Sequence, residues 1–167
     1  MKNNNNYEEY YEIVKPILEN KEFLKRKKFP HHGKITVYDH CLAVSKKSYD
    51  TAKKLNLDYK SAAIGGLLHD FYYKPWQDNT EKTKFFKQHG FVHAKEALEN
   101  SKKHFSKLMN PKIEDIILRH MFPLNIKPPK YKESWIVSFV DKRISMQIFK
   151  DPKNLYRYIG IRKRQKK

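Results

Sequence analysis

The feature that most restricts the fold is a run without a single polar side chain, Ala62 to Leu68, which ends directly on His69-Asp70. Its Ala62, Ala63, Gly65 and Gly66 would let a neighbouring helix approach closely. Each glycine costs a helix about 1 kcal/mol against alanine, so two in succession imply tight packing or a bend. The helix that carries the run is expected over Tyr59 to His69. At its end an imidazole and a carboxylate stand side by side, and adjacent helical side chains diverge by about 100°. Such a pair can serve one centre from two directions. Histidine is the commonest protein metal ligand and aspartate can bridge two cations. An isolated pair would more often be a helix C-terminus at which the histidine caps and the aspartate begins a turn, so the remainder of the chain has to decide.

Thr36, with Asp39 three residues on, forms a capping box. It should open a helix that runs to about Leu55, with His40 in its first turns and Leu42, Ser45, Tyr49 and Ala52 along a face. Asn56 to Asp58 then break the chain before the apolar helix. Upstream, Tyr7 to Lys28 suits one or two helical segments. Pro16 should start the second of these or kink the first, and Lys25 to Lys28 should form a solvated basic end. Downstream, Phe91 to Lys107 reads as a helix. Asn110-Pro111 supplies an N-cap and an N1 proline for the next one, which has Glu114 and Asp115 in its first turn and Ile113, Ile116, Ile117 and His120 on one side. Tyr131 to Phe149 is the last strong helix, with Asp141 in the middle of an apolar pattern.

Between these lie loops at Phe29 to Gly33 and at Met121 to Pro129. The longer connection, Phe71 to Gly90, is aromatic and then lysine-rich, could hold a short helix around Lys82 to Gln88, and would make a reasonable lid. Asp151-Pro152 should open a small terminal helix. No stretch alternates like a strand, and there is no internal repeat. The expected architecture is all-α: a single compact helical bundle occupying 1–167 as one domain, with its core in 36–149 and flexible ends at 1–6 and 160–167.

Several function classes are excluded by composition. Hydrophobic residues make up 39% of the chain, enough for a core, but no apolar stretch approaches the roughly 18 residues of a membrane span. The asparagine-rich start lacks a signal-peptide core, and the lone cysteine, Cys41, rules out an intrachain disulfide or a cysteine zinc cage. A cytoplasmic protein is expected. The formal charge of +18 favours anionic ligands. Only six of its 36 basic residues are arginines, and the lysines are spread along the chain apart from the tail Arg162 to Lys167.

Metal-capable residues recur at helix ends or on apolar helix faces: His40, His69, Asp70, His93, His120 and Asp141. A buried aspartate such as Asp141 needs a cation or a donor beside it. In this ordered pattern the sequence resembles the HD superfamily of metal-dependent phosphohydrolases over roughly Thr36 to Phe149. It is similar to small bacterial HD-domain hydrolases in its His32-Gly33 loop and in His120-Met-Phe-Pro-Leu, and it lacks the Gly-Tyr-Pro signature of the HD-GYP branch. The resemblance implies that His40, His69, Asp70 and Asp141 hold one divalent metal, and that Asp70 bridges to a second completed by His93 and His120. Iron or manganese suits that donor set best, with zinc or magnesium as alternatives.

The implied chemistry is hydrolysis of a phosphate ester or anhydride, in a nucleotide or another small phosphorylated substrate, by a metal-activated water. Asp70 is the central catalytic residue of this reading. Lys74 is a candidate for substrate phosphate and catalysis, and His32 for proton donation. Arg119, Lys142 and Arg143 are candidate substrate contacts. His89 could act from the lid, and Tyr72, Tyr73 and Trp76 could stack on a base or close the core. His31 and His104 are expected at the surface, and Cys41 as structural. The competing reading is a module that binds nucleic acid through its basic surface and tail without turnover; a metal site that only ties helices together is a third.

Overall fold

The computed structural model describes the backbone of residues 2–32, 35–73 and 85–150, with side chains over 6–31, 35–73 and 92–147. The helix expected from Asp151-Pro152 and the tail Arg162 to Lys167 lie outside the described residues. The axis of the molecule is helix α4 (Tyr59–Leu68). Asp58 caps its start, accepting from the Ser61 amide at 3.0 Å, and every residue from Ser61 to Leu68 is buried. A helix that is apolar all round must be enclosed on all sides. Here α1 (Lys2–Leu18), α3 (Val37–Lys54), α6 (Pro111–Arg119) and α7 (Lys132–Lys150) enclose it.

The glycine pair makes this enclosure tight. A Cβ at Gly66 would stand 2.9 Å from Ser45 Cα on α3, and one at Gly65 would stand 2.7 Å from Ile116 Cγ2 on α6. Close packing therefore accounts for both glycines, and α4 runs unbroken through them. Two apolar clusters flank it. One gathers Val14, Ile17, Phe23, Leu67, Leu68, Phe71 and Ile113. The other joins Val44, Ala62, Ile116, Val137, Val140 and Ile144. Each such side chain contributes about 1.5–3 kcal/mol when fully buried.

The expected starts are formed as the side chains dictate. Thr36 Oγ1 accepts from the Asp39 amide at 3.2 Å while Asp39 accepts from the Thr36 amide at 3.1 Å. Asn110 accepts from the Lys112 and Ile113 amides, both at 3.0 Å.

Four expectations are corrected. Pro30–His32 (β1) and Ile35–Thr36 (β2) form a short antiparallel pair, too brief to show alternation in sequence. Helix α5 spans Phe85–Phe105 without interruption, merging the two helices expected on either side of Gly90. One glycine costs a helix of that length only about 1 kcal/mol. Helix α1 begins at Lys2 and runs past Pro16, which sits in its last turn, and α2 (Lys21–Leu24) starts at the Asn20 cap instead. The described backbone is thus helical from Lys2 onward. Asn6 explains part of this, since its amide oxygen accepts from Lys53 Nζ at 2.8 Å. Finally, Arg26, in the 3-10 turn Lys25–Lys28, is completely buried rather than solvated.

The same region carries a pH-dependent tie. Glu9 accepts from Lys53, from Tyr59 at 2.8 Å and from Tyr49 at 3.0 Å. The bond from Lys53, followed by those from the two tyrosines, pulls its carboxyl from 4.5 down to about 2. A folded-state value below the unfolded one contributes stability above pH 4.5 that is lost as pH falls through about 2. Glu9→Gln should therefore lower the urea midpoint at pH 7, and the gap from the native protein should close between those two pH values. A gap that stays constant down to pH 2 would contradict this origin.

Candidate metal centre

Five elements deliver the six expected donors to one place. His40 lies in the first turn of α3, His69 and Asp70 follow the end of α4, His93 projects from α5, His120 caps α6 and Asp141 comes from the middle of α7. Helix ends suit this purpose, since the chain there leaves the ladder while the helix holds the residue before it in place. His40, His69 and His120 are essentially inaccessible, Asp70 and Asp141 are each 8% exposed, and His93 is half-buried.

The donors fall into two groups, His40 with His69 and Asp141, and Asp70 with His93 and His120; within each group one ligand atom per residue lies within 4.8 Å of the others. In the first, His40 Nε2 stands 2.9 Å and His69 Nε2 3.6 Å from Asp141 Oδ1. In the second, His93 Nε2 stands 3.4 Å and His120 Nε2 3.6 Å from Asp70 Oδ1. The other oxygen of Asp70 turns back to the first group, 3.4 Å from His69 Nε2.

Backbone carbonyls fix the rings. His69 Nδ1–H donates to Gly66 O at 2.8 Å and His120 Nδ1–H donates to Ile117 O at 2.7 Å. With Nδ1 turned to a carbonyl, the Nε2 of each ring points into the cluster, and when it carries no proton it offers the lone pair a metal ligand needs. The buried His69 Nε2 makes no hydrogen bond, and the His93 and His120 Nε2 atoms converge to 3.2 Å. An imidazole and carboxylate set, converging in two groups with ring nitrogens aimed inward, has the chemistry to hold divalent metal.

The carboxylates and rings of the cluster also set one another's charge. Burial opposes a charged His69, yet the Asp70 and Asp141 carboxylates outweigh it and raise its pKa to about 9. Burial likewise opposes the Asp70 carboxylate, which His69, His93 and His120 together hold ionised. Asp141 is also held well below the carboxylate range, against its burial, by His40 and His69. Burial and the neighbouring His69 charge push His120 down to about 3.

Other groups that sequence reasoning missed hold Asp70 in place. The three residues after it are each tied by a distant side chain. Asn100 donates to Phe71 O at 2.9 Å, Arg26 Nη1 donates to Tyr72 O, and Glu96 accepts from the Tyr73 amide at 2.9 Å. The Arg26 guanidinium lies over the rings of Phe29, Phe71 and Tyr73 at 4.6, 5.2 and 5.3 Å, and burial lowers its pKa. Cys41 is buried, and burial pushes its thiol up while the Asp70 amide donates to it.

The remaining candidates are distributed as follows. Lys142 Nζ donates to His120 O at 2.8 Å and Ser138 Oγ donates to the same carbonyl at 2.8 Å, so both hold the His120 cap. Arg119 sits 3.6 Å from Asp115 and reaches Pro128 O. Arg143 is exposed. Tyr72 is buried with its ring edge-on to His93 at 5.7 Å, which closes the core beside the donors. His31 and His104, expected at the surface, are packed instead. His31 lies 4.2 Å from the His40 ring, and His104 Nε2 bonds Tyr73 Oη at 2.8 Å. Lys74, Trp76 and the side chains of His32 and His89 lie outside the described residues.

The family model described as "HD domain" matches residues 37–146. That match spans all six donors. No curated protein and no solved structure matches the chain.

Proposed function

The chain belongs to the HD-domain family, and we propose that it is a metal-dependent phosphohydrolase with two divalent cations in one centre, acting on a nucleotide or another small phosphorylated substrate. The observation that carries this reading is Asp70, whose two oxygens face different donor groups. His40, His69 and Asp141 would hold one cation, His93 and His120 the other, and Asp70 would reach both. Iron or manganese suits these ligands best, with zinc or magnesium as alternatives. Such cations supply Lewis-acid chemistry, acidifying water and polarising a phosphoryl oxygen for in-line attack.

The chain's own residues do the rest. The Nδ1–H bonds of His69 and His120 hold their rings so that little reorganisation accompanies reaction. The ties on Phe71, Tyr72 and Tyr73 fix the chain leaving Asp70, and we assign Lys74, the next residue, to a substrate phosphate and His32 to proton donation. Arg143 is exposed and, two residues past Asp141, lies about 160° round α7 from it, so it is not assigned to substrate. Lys142 serves His120 and Arg119 serves Asp115, so both are assigned to positioning. The expected setting is the cytoplasm.

The test is release of p-nitrophenol from bis(p-nitrophenyl) phosphate by protein stripped with chelator and reloaded with Mn²⁺ or Fe²⁺. Turnover should vanish on stripping and return on reloading. Turnover that is indifferent to the metal would contradict the reading.

A further inference from the structure

We propose that the outward face of α7 is a docking surface for single-stranded nucleic acid. Lys132, Trp135, Phe139, Arg143 and Met146 recur at intervals of three and four residues, which places them on one side of the helix. The Trp135 and Phe139 rings stack with centroids 5.6 Å apart and planes 26° apart, and Phe122 meets Trp135 edge-on at 5.4 Å. Phe139 is 64% and Met146 63% exposed. An aromatic stack left open to water on a helix surface loses the benefit of burial, so a flat apolar partner would gain by covering it.

Charge identifies that partner. Between residues 115 and 147 the acidic side chains are Asp115, Glu133 and Asp141, and all three are buried. Asp115 accepts from the Lys130 amide, Glu133 pairs with Lys112 at 2.9 Å, and Asp141 belongs to the metal centre. The exposed charges of this stretch, Lys127, Lys130, Lys132 and Arg143, are all positive. Lys132 and Arg143 bracket the stack, about 16 Å apart along the axis at 1.5 Å per residue. A second copy of the chain would bring like charges to the same face. An anionic strand with unpaired bases matches both features, because its phosphates meet the cations and its bases extend the stack.

The surface is distinct from the metal donors. At about 100° per residue, Trp135 lies about 120° and Phe139 about 160° round α7 from Asp141. The inference therefore stands apart from the hydrolase reading and is tested with metals removed.

Anisotropy of a fluorescein-labelled 20-residue oligothymidylate, in chelator and low salt, should show saturable binding. Phe139→Ala should weaken it about tenfold, Phe139→Trp should keep it, and a blunt duplex of the same length should bind more weakly. Phe139 is exposed, so circular dichroism should be unchanged in both variants. Native binding by Phe139→Ala, or a duplex bound as tightly as the single strand, would leave charge alone as the cause and overturn the proposal. Absence of oligonucleotide binding would overturn it too. If phosphatidylserine vesicles were then retained in a Phe139-dependent way, the face would be a lipid surface instead.

Discussion

Asp70→Ala should strip metal from both donor groups and lower turnover by roughly three orders of magnitude or more, since two-cation catalysis supplies several kcal/mol. The reason is specific to this residue. Each of the other donors serves one group, whereas the oxygens of Asp70 stand 3.4 Å from His69 in one group and 3.4 Å from His93 in the other. Asp70→Asn is the control, because it keeps the volume and lacks only the charge. It too should lose metal and activity while keeping native helicity, as the ties on Phe71, Tyr72 and Tyr73 come from the neighbouring backbone and stay intact. Metal content by elemental analysis and p-nitrophenol release read the two effects separately. A variant that kept both cations would remove Asp70 from the bridge.

The second large effect is expected from Gly66→Ala. The added methyl would lie 2.9 Å from Ser45 Cα and 3.2 Å from Ser45 N. These are backbone atoms of α3 and cannot rotate away. Helices α3 and α4 would have to separate, straining the Ser45 Oγ to Ala63 O bond of 2.7 Å that crosses their contact. Overpacking of this kind costs about 1–3 kcal/mol, occasionally more, against about 1 kcal/mol gained from alanine's helix propensity. The net loss, up to about 2 kcal/mol, should lower the melting temperature by up to about 8 °C.

The site should suffer as well. Gly66 O orients His69, and α3 carries His40, so metal affinity should fall with stability. Gly65→Ala provides the contrast, since the nearest atoms its methyl would meet belong to the Ile116 side chain. Trimming Ile116 to valine should recover part of its loss, and no side-chain trimming should rescue Gly66→Ala. Native stability in Gly66→Ala would show that close approach is not what the glycine serves.

Local signals explain why so much of the fold was legible. The Thr36–Asp39 box, the Asn110-Pro111 start and the apolar run at Ala62 to Leu68 each act within a few residues. The donors were legible for a related reason: a histidine or aspartate at a helix end or on an apolar face is out of place locally. What escaped depends on distance along the chain. Arg26 stands among four consecutive basic residues, and its burial is set by Phe71 and Tyr73, far downstream. His31 and His104 were misjudged for the same reason, since their partners His40 and Tyr73 lie on other elements. The continuity of α5 through Gly90 shows a weak breaker losing to a long helix. The short β1–β2 pair is held by hydrogen bonds that no residue pattern announces.

The most direct measurement is metal content per chain by elemental analysis, on protein purified without chelator or histidine tag and compared with His93→Ala. Two divalent cations in the native protein and one in the variant are expected, because His93 serves only the second donor group. One cation in both would leave a mononuclear centre on His40, His69 and Asp141, and none, even after reloading, would contradict the metal-dependent hydrolase.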